Sequence, residues 1–156
     1  TFADLGFQVE ILDISACDRE TAQAKIFQSK LLYVSGGNTF YLLQELKKKQ
    51  LLSLIKEQIA DGMVYVGESA GAIITAKDID YNKLMDDKGV AAELHDTGAL
   101  NEVDFYVLPH VGEEPFVESA QATLDTYSDQ LNLLPLNNRQ AVLVEGEEVK
   151  VLEEDK

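Results

Sequence analysis

The sequence predicts an α/β fold with a mainly parallel sheet, and three observations carry that expectation. Apolar strand-like runs alternate with helix-like stretches along the 156 residues, which is the pattern of βα units. Leu31-Leu32-Tyr33-Val34 is short and unbroken in its apolar character, as a strand covered on both faces must be. Val64 to Gly67 is a second such run, and it ends in a sharp glycine-bounded turn followed by small residues that start a helix.

Taken in order, Thr1 to Gly6 reads as the last turn of a helix, with Gly6 as its stop. Phe7 to Ile14 reads as the first strand, with Val9, Ile11, Leu12 and Ile14 as its apolar set. Asp18 can cap a helix from Arg19 to about Gln28. The strand Leu31–Val34 is broken by Ser35-Gly36-Gly37-Asn38, and a helix follows from about Thr39 to Lys49, with Phe40, Leu43 and Leu46 on one face. Leu51 to Asp61 is another helix, stopped by Gly62, and the strand at Val64 follows. Ala76 to Asn101 has many acids and little periodicity and reads as a long loop, which in a small domain is usually functional or mobile. Phe105 to Leu108 is the next strand, ended by Pro109-His110. Pro115 to about Tyr127 is a helix, and Gln140–Val144 with Val149–Leu152 form a hairpin around Gly146. The length fits one domain. Its opening on the tail of a helix leads us to expect a further segment upstream.

Composition narrows the function. The chain is 46% hydrophobic and 26% charged, enough apolar material for a core, and carries 28 acids against 13 bases for a net charge of −15. Such a surface repels nucleic acid and anionic membrane. No stretch is long enough for a membrane span and no signal peptide is visible. One cysteine, Cys17, permits no internal disulfide, as expected of a cytoplasmic protein. No metal or cofactor motif is present, and none is expected.

Gly67, Ser69 and Gly71 fit the G-x-S-x-G pattern of a nucleophile elbow. An attacking serine must stand clear of the backbone, so the chain turns tightly beneath it, and the flanking glycines remove Cβ atoms that would clash. Gly36-Gly37-Asn38, the elbow and Pro109-His110 each follow an expected strand. In an open α/β sheet, the loops at the carboxyl ends of parallel strands gather in one crevice. Ser69 is then the expected nucleophile and His110 its general base. The N–H groups of Gly37 and Ala70 are the expected oxyanion hole. His95 reads as surface, Cys17 as structural, and Tyr33, Phe40 and Phe116 as core.

The segments Tyr33-Val34-Ser35-Gly36-Gly37-Asn38-Thr39, Gly67-Glu68-Ser69-Ala70-Gly71-Ala72 and Leu108-Pro109-His110, in this order and spacing, resemble the peptidase E and cyanophycinase family of serine peptidases. The resemblance runs over nearly the whole chain. It implies a three-layer α/β/α fold like that of the class I glutamine amidotransferases (flavodoxin-like), with serine in place of cysteine. It matches Ser69 to the family nucleophile, His110 to its histidine, and Gly37 and Ala70 to its oxyanion positions. The activity implied is hydrolysis of short peptides, among them dipeptides with N-terminal aspartate. Family members begin with a further strand and helix, so this chain resembles one lacking its N-terminal part. The family's third triad member is an acid either between the serine and histidine or after the histidine. Asp86 is nearest in spacing to the first option, Asp80 is an alternative, and Asp129 stands for the second. A Ser–His pair without an acid also remains open, as does a homodimer.

Two other readings compete. A catalytically silent domain could hold a small anion or a peptide at the helix N-termini after Gly37 and Ser69. An esterase of the α/β-hydrolase type is less suited, because the chain is short for it and the Gly-Gly-Asn turn does not look like its oxyanion loop.

Overall fold

The computed structural model describes residues 2–154. Helix α1 (Arg19–Gln28) starts where the Asp18 carboxylate accepts the Thr21 N–H at 2.7 Å, satisfying a donor that the first turn leaves free. Strand β1 (Leu31–Val34) follows, then helix α2 (Thr39–Lys48), capped by the Asn38 side chain, which accepts from Tyr41 N–H. Helix α3 (Leu52–Ala60) ends at Gly62, whose φ of +100° is the left-handed stop that glycine adopts without strain. Strand β2 (Val64–Gly67) pairs in parallel with β1, Leu31 opposite Val64 through Val34 opposite Gly67. Helix α4 (Ala70–Ile73) is a single turn. Strand β3 (Tyr106–Leu108), helix α5 (Val117–Tyr127) and strand β4 (Leu133–Pro135) follow, with β3 and β4 parallel. Strands β5 (Gln140–Glu145) and β6 (Glu148–Glu153) make the antiparallel C-terminal hairpin. The architecture is the expected flavodoxin-like α/β class.

The main core lies where α2 and α3 meet the elbow helix. Phe40, Leu43, Leu51, Ile55 and Ile74 are buried there. The apolar face of α2 reads as expected. A smaller cluster of Phe105, Val107 and Leu136 sits between β3, β4 and the hairpin.

Three expectations need correcting. Residues Phe7 to Ile14 form no strand: among the described residues no strand pairs with them, and Phe7, Val9 and Ile11 are exposed while Leu12 and Ile14 pack on the core. A strand exists only through a neighbour that takes its hydrogen bonds, so apolar content alone did not make one. The stretch from Ala76 to Asn101 is no loose loop. It holds two 3-10 turns, Asp80–Leu84 and Lys88–Val90, and a bridge between Asp78 and Gly98. It also buries Ile79, Tyr81 and Leu100. Three-residue turns and single bridges leave neither a 3.6 nor a 2.0 period to read. Strand β4, three residues ending in proline, has no counterpart in the sequence expectation for the same reason.

Among the described residues, no helix is long and apolar enough to cross a membrane.

Candidate active site

The elbow is built by close backbone approach. A Cβ at Gly71 would stand 2.1 Å from the Val34 carbonyl oxygen, and one at Gly67 would stand 2.4 Å from the Gly71 oxygen. Both are impossible contacts, so only glycine lets α4 start against β1 and β2. The turn is held by Glu68 N–H donating to Val34 O at 2.9 Å and by the buried Tyr65 hydroxyl donating to Gly71 O at 2.7 Å. Burial pushes the Tyr65 phenol well above its ordinary pKa, so this donor keeps its proton. Ser69 sits at the tip with φ 50° and ψ −109°. A non-glycine residue in such a conformation costs on the order of 1–3 kcal/mol and persists only where its surroundings enforce it.

His110 follows β3 and is also left-handed, with φ 62°. Its Nε2 lies 3.0 Å from Ser69 Oγ, within direct proton-transfer reach. Phe116 stacks on the imidazole, with ring centroids 4.7 Å apart and planes 19° from parallel. On the opposite edge, His110 Nδ1 lies 2.6 Å from Asn138 Oδ1. The two residues meet because β3 and β4 run side by side: Leu136 N–H donates to Leu108 O at 2.9 Å and Val111 N–H to Leu136 O at 3.0 Å.

None of the three acids weighed for the third position contacts His110. Asp86 Oδ2 accepts from Thr39 N–H, Thr39 Oγ1 and Asn82 Nδ2 at 2.8, 2.6 and 3.0 Å. It therefore closes the start of α2. Asp80 pairs with Lys83 and Lys88, which hold its carboxyl below the usual range, the lysine hydrogen bonds being the main cause. Asp129 is exposed just past α5. Asn138, next to the last residue of the stretch 128–139 that the sequence left unassigned, carried no motif that could have singled it out.

Gly36 approaches Ser69, where a Cβ would lie 3.3 Å from Ser69 Cβ, and Gly37 lines the same cavity as Ser69. Among the described residues, neither Gly37 N–H nor Ala70 N–H donates a hydrogen bond. Ser69 and His110 open onto a cavity of about 440 Å³ that Gly37, Glu68, Asp86 and Phe116 also line. Glu68 takes the hydroxyl of Tyr33, a bond that raises the phenol's pKa. Tyr33 is thus partly exposed beside the elbow and Phe116 half-buried against the imidazole, rather than both in the core; Phe40 is fully buried as expected. A second hollow, against Phe27 and Leu54 between α1 and α3, holds no titratable group. His95 is exposed and Cys17 packs at the core edge, both as read from the sequence.

The fold and the elbow define an α/β protein with a serine presented at the carboxyl ends of parallel strands. The family profile described as peptidase family S51 matches residues 1–152, and the chain belongs to that family. It is 48% identical over 146 residues to an uncharacterised peptidase of Pasteurella multocida, covering 94% of this chain and 70% of that protein. To peptidase E of a Shewanella species (strain W3-18-1) it is 40% identical over 79 residues, 51% of this chain and 32% of that protein. A crystal structure from Listeria monocytogenes, described as a candidate peptidase E, superposes with a TM-score of 0.92 at 40% identity, covering 98% of this chain and 74% of that one. The protein is a peptidase, a hydrolase whose substrates are peptides.

Proposed function

We propose that the protein is a serine-type peptidase of short peptides, with Ser69 as nucleophile and His110 as general base. The observation that carries this is the 3.0 Å contact between His110 Nε2 and Ser69 Oγ at the tip of the elbow. As Ser69 Oγ attacks the scissile carbonyl carbon, its proton passes to Nε2. The tetrahedral oxyanion is met by the N–H groups of Gly37 and Ala70, donors that need no rearrangement at the moment of reaction. His110 then returns the proton to the leaving amine, and the acyl-serine remains. Water enters, gives its proton to Nε2 and attacks the acyl carbon. The carboxylic acid leaves as Ser69 regains its proton.

The resemblance brings with it a dipeptide with N-terminal aspartate. Among the described residues lining the cavity there is no lysine or arginine to receive that side chain, whereas Glu68 and Asp86 suit a free α-ammonium. We therefore favour short peptides with a free N-terminus and leave the first side chain to experiment. The same two carboxylates weigh against a silent anion-binding domain. The lone cysteine favours the cytoplasm.

The test is labelling by a fluorophosphonate probe, followed by a dipeptide-library assay, with Ser69→Ala as control. Labelling of the wild type alone, together with release of an amino acid, is the expected result. Equal turnover by Ser69→Ala would end the serine-peptidase reading.

A further inference from the structure

We propose that the acyl side of the cavity takes a first residue with a cationic side chain, and that Glu68 is the residue that selects it. This rests on the reading of Ser69 and His110 as nucleophile and base. The leaving amine takes its proton from His110, so it lies toward β3, the strand that delivers the imidazole. The acyl residue then lies on the other side of Ser69, toward β1 and the start of α2. Glu68 is held on that side, because its carboxylate accepts the hydroxyl of Tyr33, a residue of β1. Asp86 and Asn82 stand there too, since both bond to Thr39, the first residue of α2. All three line the cavity.

These groups offer acceptors and charge of one sign. Asp86 spends Oδ2 on Thr39 and Asn82, while among the described residues its Oδ1 makes no hydrogen bond. Asn82 is fully buried. Its Nδ2 donates to Thr39 Oγ1 at 3.1 Å and to Asp86 Oδ2 at 3.0 Å, which fixes the orientation of the amide. Its Oδ1 is thereby left without a partner. A buried acceptor with no donor is costly, and a donor carried in by a ligand removes that cost.

An ammonium group brings three donors. Asp86 and Asn82 therefore suit the free α-ammonium of the first residue, which leaves Glu68 over. Two carboxylates against one ammonium leave one negative charge unbalanced, and a lysine or arginine side chain balances it. An aspartyl side chain would instead bring a third carboxylate. No neighbouring cation relieves this: Lys83 and Lys88 are taken by Asp80, and Arg139 donates to the Glu154 carbonyl. The partner of Glu68 is a neutral phenol, whose pKa the bond raises, so Tyr33 fixes the carboxylate without cancelling its charge.

The experiment compares lysyl-leucine, leucyl-leucine and aspartyl-leucine as substrates of the wild type, Glu68→Gln and Glu68→Lys. Each kcat/KM is taken as a ratio to that for leucyl-leucine, so a general loss of folded enzyme cancels. The wild type should favour lysyl-leucine by about tenfold or more, the worth of one charge-assisted hydrogen bond, and should disfavour aspartyl-leucine. Glu68→Gln should lose most of the lysyl preference, and Glu68→Lys should turn it toward aspartyl-leucine. The second readout is calorimetric affinity for the same dipeptides in Ser69→Ala, with and without Glu68→Gln, which needs no turnover.

A wild type that prefers aspartyl-leucine would overturn the proposal. So would a lysyl preference that survives whole in Glu68→Gln, since the net charge of −15 would then account for it. If no peptide is cleaved and Ser69 is not labelled, the peptidase reading fails and the calorimetric ranking alone decides what the pocket selects. Equal affinities there, or a ranking that Glu68→Gln does not change, would end the proposal as well.

Discussion

Asp86 gives its carboxylate to Thr39, taking the backbone N–H at 2.8 Å and the hydroxyl at 2.6 Å, and so closes the N-terminus of α2. The helix that follows Gly37 is thereby pinned to the 3-10 segment that the acids of the sequence made look like solvent-facing loop. Asn82 joins the same carboxylate from inside the core, where it is fully buried.

Asp86→Ala should therefore be a stability variant. It leaves the Thr39 N–H and the buried Asn82 amide short of an acceptor. Hydrogen bonds to a charged group are each worth about 1.5–3 kcal/mol, so a loss of roughly 2–3 kcal/mol in urea unfolding is expected. An unchanged unfolding midpoint would count against the capping role.

Ser69→Ala and His110→Ala should each abolish turnover while the unfolding transition stays close to that of the wild type. In a comparable serine site, removing either residue costs on the order of 10⁶ in kcat, and removing both costs little more. The double variant measured beside the two singles checks whether the pair acts as a unit. Additive losses would separate the two residues.

Gly71→Ala and Gly37→Ala should fail differently. The first would press a methyl to 2.1 Å from the Val34 oxygen, where only backbone can give way, so misfolding or a large loss of stability is expected. The second has open space around it but a φ of +141°, so strain alone opposes it. It should fold with a modest loss and lower kcat by displacing the proposed oxyanion donor. Circular dichroism and kcat on the same preparations distinguish the two.

Asp80 contributes to stability in a pH-dependent way. Hydrogen bonds from Lys83 and then Lys88 hold its folded pKa below the unfolded value. Its contribution is thus present above the unfolded pKa and is lost as pH falls through the folded one. Both lysines are well exposed, so the gain is under about 1 kcal/mol. Asp80→Asn should lower stability slightly at pH 7 and not at pH 2.5. A difference that persists in acid would point to packing instead.

The sequence by itself determined the local geometry of the site. Glycines at 67 and 71 leave no other chain path around Ser69, the cap at Asp18 and the break at Ser35 to Asn38 mark helix starts, and unbroken apolar runs mark β1 and β2. These signals lie within a few residues of what they specify, so they can be read in order. Whether Phe7 to Ile14 becomes a strand depends on a neighbour that no local pattern supplies. Whether Ala76 to Asn101 packs depends on three-residue turns and long-range contacts such as that of Asp86 with Thr39. Tertiary structure alone decided what stands beside His110. Asn138 reaches it across 28 residues because β4 lies against β3, and a three-residue strand that ends in proline announces nothing in sequence. Ser69 and His110 are marked by the turns that expose them. The side chain that meets His110 Nδ1 is marked only by where two strands happen to end.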